Sequence, residues 1–371
     1  MRRVLLCGAF GQGNPGDDAL LESFLDGLAG HDVRVTTSGA VPAPARPVAP
    51  DRRSVAQALR EVDAVVVGGG TLFKSLHPSV PRRPSSLVAR TALLRAATAA
   101  RGLPLALVGV GAGTLRGRTV RRLAAWTADR ADLLVLRDEE SAAVLAEAGA
   151  TGPFRVGADA TWRLLDIATS QPARRPEPDA PVLVVLSHHA DHHSTRLTDG
   201  ITAVVEHLLE RGHAVTLQPW ADGDGGDLRL GADVLRRVRS GGIALVDPPA
   251  TLHDVRRAAA EHGAVVSLRF HGLVAAAAAG RPTLAFAHEP KLAGLARRLA
   301  QPTVPSHASP TVMAHAVDAL LDTPSPAPAS LHHEVEAARH TNALLRLVVS
   351  GGVEDDVVDR AALDLSSGVP W

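Results

Sequence analysis

Short apolar runs alternate with longer segments in which apolar residues recur every three or four positions, along most of the 371 residues. Runs such as residues 65–67 and 264–267 are typical of strands buried on both faces. Segments such as 20–28 are typical of helices with one apolar face. This repeated order of strand and helix predicts an α/β fold with mostly parallel sheets and helices on both sides.

The predicted elements fall into two series. In the first half we expect strands at 2–7, 31–36, 63–67, 104–109, 131–136 and 154–156, and helices at 20–28, 54–61, 87–100, 119–129 and 139–148. In the second half we expect strands at 182–186, 213–217, 243–246, 264–267 and 282–287, and helices at 197–211, 227–240, 251–260, 272–279, 311–321 and 331–349. The Pro- and Ala-rich segment 41–50 is expected to be a flexible surface connection, and 77–86 a loop over the cleft.

A segment rich in proline and charge, residues 168–181, separates the two series and is typical of a linker. We therefore expect an N-terminal Rossmann-like domain at 1–167 and a second one at 182–325, followed by a C-terminal helix and tail at 326–371. Two such domains joined by a linker predict a clamp with a ligand cleft between them.

Four polar side chains follow two predicted neighbouring strands of the second domain. Arg269 and His271 come after the first of these strands, and Glu289 and Lys291 come after the next. Ligands of open α/β sheets bind in the crevice beyond the carboxyl ends of the strands, so we expect all four side chains at a ligand.

The residue types narrow the ligand. An arginine can hold a carboxylate or phosphate with two parallel hydrogen bonds, and a histidine can carry a proton near neutral pH. Together with Lys291, Arg269 and His271 suit a small anion that must gain or lose a proton. The alternative is structural: an arginine in a surface ion pair and a histidine that caps a helix.

A glycine-rich loop follows the first strand and leads into a helix, where its backbone N–H groups could hold an anion or a sugar. We expect Asn14 and Gly16 of this loop to contact the substrate, and Asp17 or Asp18 to cap the helix. The spacing is not G-x-G-x-x-G, which argues against a nicotinamide dinucleotide. The Lys-Ser/Thr of a nucleotide-binding P-loop is missing as well.

Three consecutive glycines, Gly68, Gly69 and Gly70, end the strand at 63–67. Tight packing against a helix would explain one glycine, so we expect this backbone to approach a ligand or another segment closely. Lys74 follows directly, and Arg137 stands at the end of the strand at 131–136. Both are predicted to bind the substrate.

Composition removes several classes of function. The net charge of +0 gives no overall attraction to nucleic acid or to an anionic membrane. No apolar run reaches the ~18 residues of a membrane span. The single cysteine, Cys7, excludes an intrachain disulfide. The expected location is the cytoplasm, by default. Only two of the 39 basic residues are lysines, Lys74 and Lys291, so each invites a specific reason.

Four histidines and Asp191 crowd residues 187–194, which raises the hypothesis of a metal site. Their spacing matches neither a tetrahedral zinc site nor H-E-x-x-H. The chain has 17 histidines in total, so a polar loop at the end of a strand is favoured and no metal is expected.

Several motifs together resemble the polysaccharide pyruvyl transferase family across nearly the whole chain. They are GNPGDDAL at 13–20, VVVGGGTLF at 65–73, VGVGAGTL at 108–115, LRDEES at 136–141, GADATW at 157–162, LQPW at 217–220 with Asp222, LRFHGLVAAAAAGRP at 268–282 and HEPK at 288–291. Each motif is moderately specific, and their common order is strongly specific.

The resemblance implies a fold like that of the B-type glycosyltransferases, with the acceptor held by the N-terminal domain and the donor by the second domain. It also implies transfer of a pyruvyl group from phosphoenolpyruvate to two hydroxyls of a sugar, glycolipid or polysaccharide precursor, giving a cyclic ketal and phosphate without a cofactor. The Arg-x-His feature of the family falls on Arg269 and His271. We expect Arg269 to hold the donor, His271 to act as general acid, Asp17 as general base, and Lys291 to support the phosphate.

The sequence departs from the family at two places. The family usually has a donor-binding Arg after the linker strand, where this chain has histidines; His188 or His189 could replace it, or the donor could differ. The usual aromatic-Asp-Pro-Lys appears as residues 288–291, His-Glu-Pro-Lys. Two alternatives therefore stay open: a nucleotide-sugar glycosyltransferase that uses Glu289 for the ribose, and a catalytically silent binding protein. The acceptor and the oligomeric state are not predicted.

Overall fold

Two parallel sheets, each covered by helices on both faces, form the framework of the molecule. The computed structural model describes residues 1–76, 85–165, 167, 172–188, 195–221 and 226–351. Of the predicted linker 168–181, residues 172–181 form no helix or strand.

The first sheet has the strand order β3-β2-β1-β4-β6-β7-β8, with β5 paired to β6, and every pairing is parallel. Its strands are β1 (Arg3–Phe10), β2 (Asp32–Thr37), β3 (Arg46–Val48), β4 (Ala64–Gly68), β5 (Thr71–Phe73), β6 (Leu105–Ala112), β7 (Leu133–Leu136) and β8 (Arg155–Val156). The helices are α1 (Pro15–Gly27), α2 (Arg52–Ala58), α3 (Ser86–Ala99), α4 (Arg118–Ala128) and α5 (Glu139–Glu147). The central strands β4 and β6 are buried along their whole length because helices cover both faces.

The second sheet has the order β11-β10-β9-β12-β13-β14 and is also fully parallel. Its strands are β9 (Val182–Val185), β10 (Val215–Gln218), β11 (Ile243–Leu245), β12 (Ala264–Ser267), β13 (Thr283–Ala287) and β14 (Thr303–Pro305). The helices are α6 (Thr195–Glu210), α7 (Gly226–Arg237), α8 (Leu252–Ala260), α9 (Phe270–Ala278), α10 (Pro290–Arg298) and α11 (Pro310–Asp322). As predicted, β12 and β13 are neighbours, so the residues that follow them lie at one edge of the sheet.

The last helix, α12 (Pro328–Ser350), links the two domains through its apolar residues. Leu331 belongs to the same buried apolar cluster as Trp162 and the residues of α9, whereas Leu344 and Leu345 lie in the core of the first domain. Burying one such side chain contributes roughly 1.5–3 kcal/mol, so this helix fastens the end of the chain to both domains. In the described part of the chain, none of the helices combines the length and the apolarity needed to cross a membrane.

Four elements are missing from the expectation: the short strand β5, strand β3, strand β14 and helix α10. The segment 41–50 contains strand β3, because its backbone pairs with β2 at the sheet edge, where Pro47 is tolerated. Strand β14 has only three residues and also lies at an edge. Helix α10 has nine residues and only two large apolar side chains, Leu292 and Leu295, and it is not among the predicted helices.

The start of α1 is capped differently from the prediction. Asn14 is the N-cap and accepts a hydrogen bond from the Gly16 N–H at 3.1 Å, so the prediction of Asp17 or Asp18 as the cap is wrong. Pro15 fits the first helical position and moves the helix start upstream. Asp18 instead accepts from the Gly11 N–H at 2.9 Å, and Asp17 accepts from Asn14 Nδ2 at 2.8 Å.

The three glycines after the β4 valines are explained mostly by helix packing. A Cβ at Gly68 would lie 2.7 Å from Phe24, and one at Gly69 would lie 2.6 Å from Leu20, both on α1. Packing therefore accounts for two glycines rather than one. Gly70 has a φ of +70° with open space around it, so its requirement is conformational.

Candidate active site

The cleft lies between the carboxyl ends of the two sheets, where side chains from one domain contact side chains from the other. Asn14 Oδ1, after β1, accepts a hydrogen bond of 2.8 Å from Trp220 Nε1, after β10. His271, after β12, approaches Asp159, which follows β8. Gly16 in the first turn of α1 also faces His271 in the first turn of α9.

His271 lies in the first turn of α9, and its ring is held between the domains. Its Nε2 is 3.3 Å from Asp159 Oδ2, and its side chain is 11% exposed. The Asp159 carboxylate is fully buried and also accepts from its neighbour Thr161. Burial raises the pKa of Asp159, but His271 and then Arg137 outweigh this, and the pKa lies well below its usual range. An ionised Asp159 can only accept, so it holds the Nε2–H of His271.

Gly16 leaves the space that the His271 ring occupies. A Cβ at this position would lie 2.0 Å from His271 Nδ1, which is far too close for two unbonded atoms. The absence of a Cβ at Gly16 therefore leaves room for the His271 ring in its observed position.

The close approach predicts that Gly16→Ala displaces His271 and lowers the turnover number. A misplacement of about 1 Å at a reacting group can cost about 100-fold in rate, so we expect a loss of that order. Gly241→Ala is the control, because a Cβ there meets open space. Equal steady-state rates for wild type and Gly16→Ala would show that the ring position does not matter.

Arg269 is held by a buried carboxylate of the same domain. Its Nη2 is 2.9 Å from Asp227 Oδ2, and the other oxygen of Asp227 accepts from the His188 backbone N–H at 2.7 Å and lies 2.5 Å from His188 Nδ1. The backbone N–H of Trp220 also donates a hydrogen bond to Asp227 Oδ2. Burial raises the pKa of Asp227, but the bonds from His188 and the charge of Arg269 lower it well below its usual range. Asp227 thus orients an arginine and a histidine together.

Asp17 is half-buried at the start of α1 and faces charges from the other domain. Burial raises its pKa, while His271 and Lys291 oppose the rise. It accepts from Asn14 Nδ2, the residue that also bonds Trp220. A carboxylate in this setting holds a proton more readily than one in water.

The two lysines of the chain meet on one carboxylate across the cleft. Lys74 Nζ lies 3.0 Å from Glu289 Oε1, and Lys291 Nζ lies 2.6 Å from Glu289 Oε2. Lys291 Nζ also lies 3.4 Å from Thr71 Oγ1. Next to them, burial lowers the pKa of His288 to about 4, and its Nδ1 is buried with no hydrogen-bond partner among the described residues.

Most of the residues that the sequence predicted for the site lie at this cleft. Those that contact or face the other domain are Asn14, Gly16, Asp17, Lys74, His271, Glu289 and Lys291, and Arg269 and His188 meet on Asp227. Arg137 also contacts the other domain, because it lies 4.4 Å from the Phe270 ring centre, but it is only 2% exposed and pairs with Asp138 and Asp159. Gly68 and Gly69 face α1.

Sequence reasoning missed two carboxylates that organise the site. Asp159 belongs to the GADATW motif, and that motif could have indicated a role in the site. Asp227 lies at the start of a predicted helix, where an aspartate is common, so its sequence position gave no such indication. Of the histidine cluster only His188 is described; 189–193, Asp222 and 77–84 lie outside the described residues. Within the described ranges, no group of three or more His, Cys, Asp or Glu residues could hold a metal ion.

The fold is similar to that of several solved structures at low sequence identity. The UDP-GlcNAc 2-epimerase of Methanocaldococcus jannaschii, in complex with UDP-GlcNAc and UDP, has a TM-score of 0.62 at 12% identity and covers 93% of this chain and 99% of that one. A putative UDP-N-acetylglucosamine 2-epimerase from Listeria monocytogenes has a TM-score of 0.61 at 12% identity, with 94% and 96% covered. Anabaena Alr3699/HepE, in complex with UDP and glucose, has 0.59 at 15%, with 95% and 100% covered.

These similarities confirm the predicted fold of two Rossmann-like domains facing a cleft, as in B-type glycosyltransferases. No curated protein matches the sequence. The family model for polysaccharide pyruvyl transferase matches residues 14–290, a span that begins at the N-cap of α1 and ends just before Lys291. The chain therefore belongs to the polysaccharide pyruvyl transferase family.

Proposed function

We propose that this protein transfers the pyruvyl group of phosphoenolpyruvate to two hydroxyls of a sugar, in polysaccharide or glycan synthesis. The observation that carries the proposal is the placement of Arg269 and His271 at the start of α9. Each has a carboxylate behind it, Asp227 and Asp159, and both lie at the cleft of a family member.

Donor binding falls to Arg269 in this proposal. Asp227 holds one Nη of the guanidinium, while Nε is buried without a hydrogen-bond partner among the described residues. A guanidinium fixed from one side presents its remaining donors in a defined plane, which suits the donor carboxylate. His188, oriented by the same Asp227, would take the place of the arginine that the family usually has there.

The reaction requires a proton on the methylene carbon of the donor. A protonated His271 gives this proton from Nδ1, because Asp159 engages Nε2. The C–H bond forms, and the adjacent carbon becomes cationic. A first sugar hydroxyl attacks that carbon and loses its proton. The C–O bond to phosphate then breaks, and its electron pair leaves with the phosphate. The second hydroxyl attacks the resulting cationic carbon and gives its proton to the departing phosphate, so the products are a cyclic ketal and phosphate.

Asp17 is the proposed acceptor of a hydroxyl proton. It belongs to the N-terminal domain, opposite Arg269, and its raised pKa makes it a stronger base than an aspartate in water. The N-terminal domain would accordingly hold the sugar, and Asn14 beside Asp17 is placed to bond it.

The raised pKa of Asp17 predicts that Asp17→Asn stabilises the protein while it impairs turnover. The charged form costs stability, and this cost is complete above the folded-state pKa and absent below the unfolded value near 3.8. We therefore expect the melting temperature at pH 7 to rise by about 2–4 °C, and the gain to vanish as the pH falls below 3.8. Thermal unfolding at both pH values checks this, and a lower melting temperature at pH 7 would contradict it.

The proposed function is tested by incubating the protein with phosphoenolpyruvate and a panel of sugar acceptors in heavy water. Phosphate should appear only with an acceptor, and the product should gain one pyruvyl group whose methyl carries one deuterium. Phosphate release without deuterium in the product would exclude protonation of the methylene carbon.

A nucleotide-sugar glycosyltransferase is the second candidate, because structures of similar fold contain UDP or a UDP-sugar. That activity would release a nucleoside diphosphate when a nucleotide sugar replaces phosphoenolpyruvate in the assay. It would also need Glu289 for the ribose, whereas both lysines bind this carboxylate here. Donor binding without phosphate release, with every acceptor, would favour a silent homologue.

A further inference from the structure

Glu289 is the meeting point of the only two lysines in the sequence. Lys74 comes from the N-terminal domain, and Lys291 stands two residues after Glu289 in the second domain. Each ammonium contacts a different oxygen of the carboxylate, at 3.0 and 2.6 Å. The carboxylate therefore bridges the domains at the cleft.

The bridge is partly open to water. The Lys74, Glu289 and Lys291 side chains are 29%, 29% and 21% exposed, so a small solute can reach them. Burial raises the pKa of Glu289, but the charges of Lys291 and Lys74 outweigh burial, and the pKa lies well below its usual range. Glu289 therefore stays ionised. Burial lowers the pKa of Lys291. The charge of Glu289 opposes this effect, whereas the charges of Arg137 and Lys74 lower the pKa as well. The surroundings of Lys291 are thus rich in positive charge.

Glu289 does not perform the local task that its position offers. It is the N-cap residue of α10, yet its side chain makes no capping hydrogen bond. The helix start consequently keeps its preference for a negative group, which adds to that of the two lysines. One carboxylate carries a single negative charge, so it neutralises only one of the two ammonium groups that it contacts.

A phosphate group satisfies this site better than a carboxylate does. It carries up to two negative charges near neutral pH and has more acceptor oxygens for the two ammonium groups and Thr71. Thr71 Oγ1 already lies 3.4 Å from Lys291 Nζ, so a hydroxyl donor stands at the same place.

We propose that Lys74 and Lys291 form a phosphate-binding pair, and that Glu289 occupies this pair as an exchangeable counter-ion when no ligand is bound. The phosphate of the donor displaces the Glu289 carboxylate on entry. After transfer, the returning carboxylate competes with inorganic phosphate and speeds its release. The identity of the ligand as a donor phosphate rests on the proposed function, whereas binding of inorganic phosphate does not.

The test is calorimetric titration of the full-length protein with inorganic phosphate and, separately, with phosphoenolpyruvate. Loss of a competing carboxylate should make Glu289→Gln bind inorganic phosphate about tenfold more tightly than wild type. Lys74→Gln should bind it about tenfold more weakly. Glu140→Gln is the matched control, because Glu140 also bridges the domains, through Arg297 and Arg298, and should leave phosphate affinity unchanged.

Unchanged or weaker phosphate binding by Glu289→Gln would overturn the inference, and so would unchanged binding by Lys74→Gln. The second variant keeps the question answerable if the first does not fold. If these shifts occur but no acceptor yields a ketal, the phosphate site stands and the proposed function fails. If ketals form while both variants bind phosphate as wild type does, only this inference fails.

Discussion

Replacing His271 with alanine should lower turnover by about 10²–10⁴-fold and leave the affinity for phosphoenolpyruvate nearly unchanged. The imidazole is the proposed source of the proton for the methylene carbon, whereas Arg269 supplies the main charge for donor binding. His271→Gln should be equally impaired, because an amide can keep a hydrogen bond to Asp159 but cannot deliver a proton. Steady-state kinetics with separate measurement of donor binding distinguishes the two effects.

His262→Ala is the control for the loss of a histidine. This residue belongs to the same domain and bonds Ala258 O and Thr216 Oγ1 at 2.7 and 2.9 Å, away from the cleft. It should cost some stability and leave the turnover number intact. Wild-type turnover in His271→Ala would remove His271 from the proposed mechanism.

Replacing Arg269 with alanine should weaken donor binding by about 100-fold or more. Two hydrogen bonds between charged groups are lost, and each contributes roughly 1.5–3 kcal/mol. Arg269→Lys should recover only part of the affinity, because an ammonium keeps the charge without the planar pair of donors. The dissociation constant of phosphoenolpyruvate, measured by calorimetry, checks both variants.

The Arg269 variants need a control for general loss of an ion pair. Arg297→Ala provides it, because Arg297 pairs with Glu140 across the domains and outside the proposed site. Its affinity for phosphoenolpyruvate should match that of wild type. Wild-type affinity in Arg269→Ala would mean that the donor is held elsewhere.

The sequence predicted the sheets well because central parallel strands are continuous apolar runs. It failed where tertiary contacts decide the structure. Strand β3 forms because its backbone pairs with the edge strand β2, and the local sequence of a proline-rich segment does not predict that pairing. The start of α1 moved from the two aspartates to Asn14 because Pro15 sets the first helical position.

The site shows the same division between local and distant information. Arg269 and His271 could be placed from the strand that precedes them, and their neighbours from the parallel order of β12 and β13. The approach of Asp159 to His271 joins residues 112 positions apart, and that of Lys74 to Glu289 joins residues 215 apart. Both contacts depend on how the two domains meet. The burial of Arg137 behind Asp159 also depends on this packing.

Identification of the donor is the most direct test of the account. Thermal unfolding of the wild-type protein should be followed with phosphoenolpyruvate and, in parallel, with a panel of UDP-sugars. A ligand at about 100 times its dissociation constant adds about 2.7 kcal/mol to the free energy of unfolding, which is an easily measured shift. The account predicts stabilisation by phosphoenolpyruvate. Stabilisation by a UDP-sugar alone would contradict it and favour glycosyl transfer.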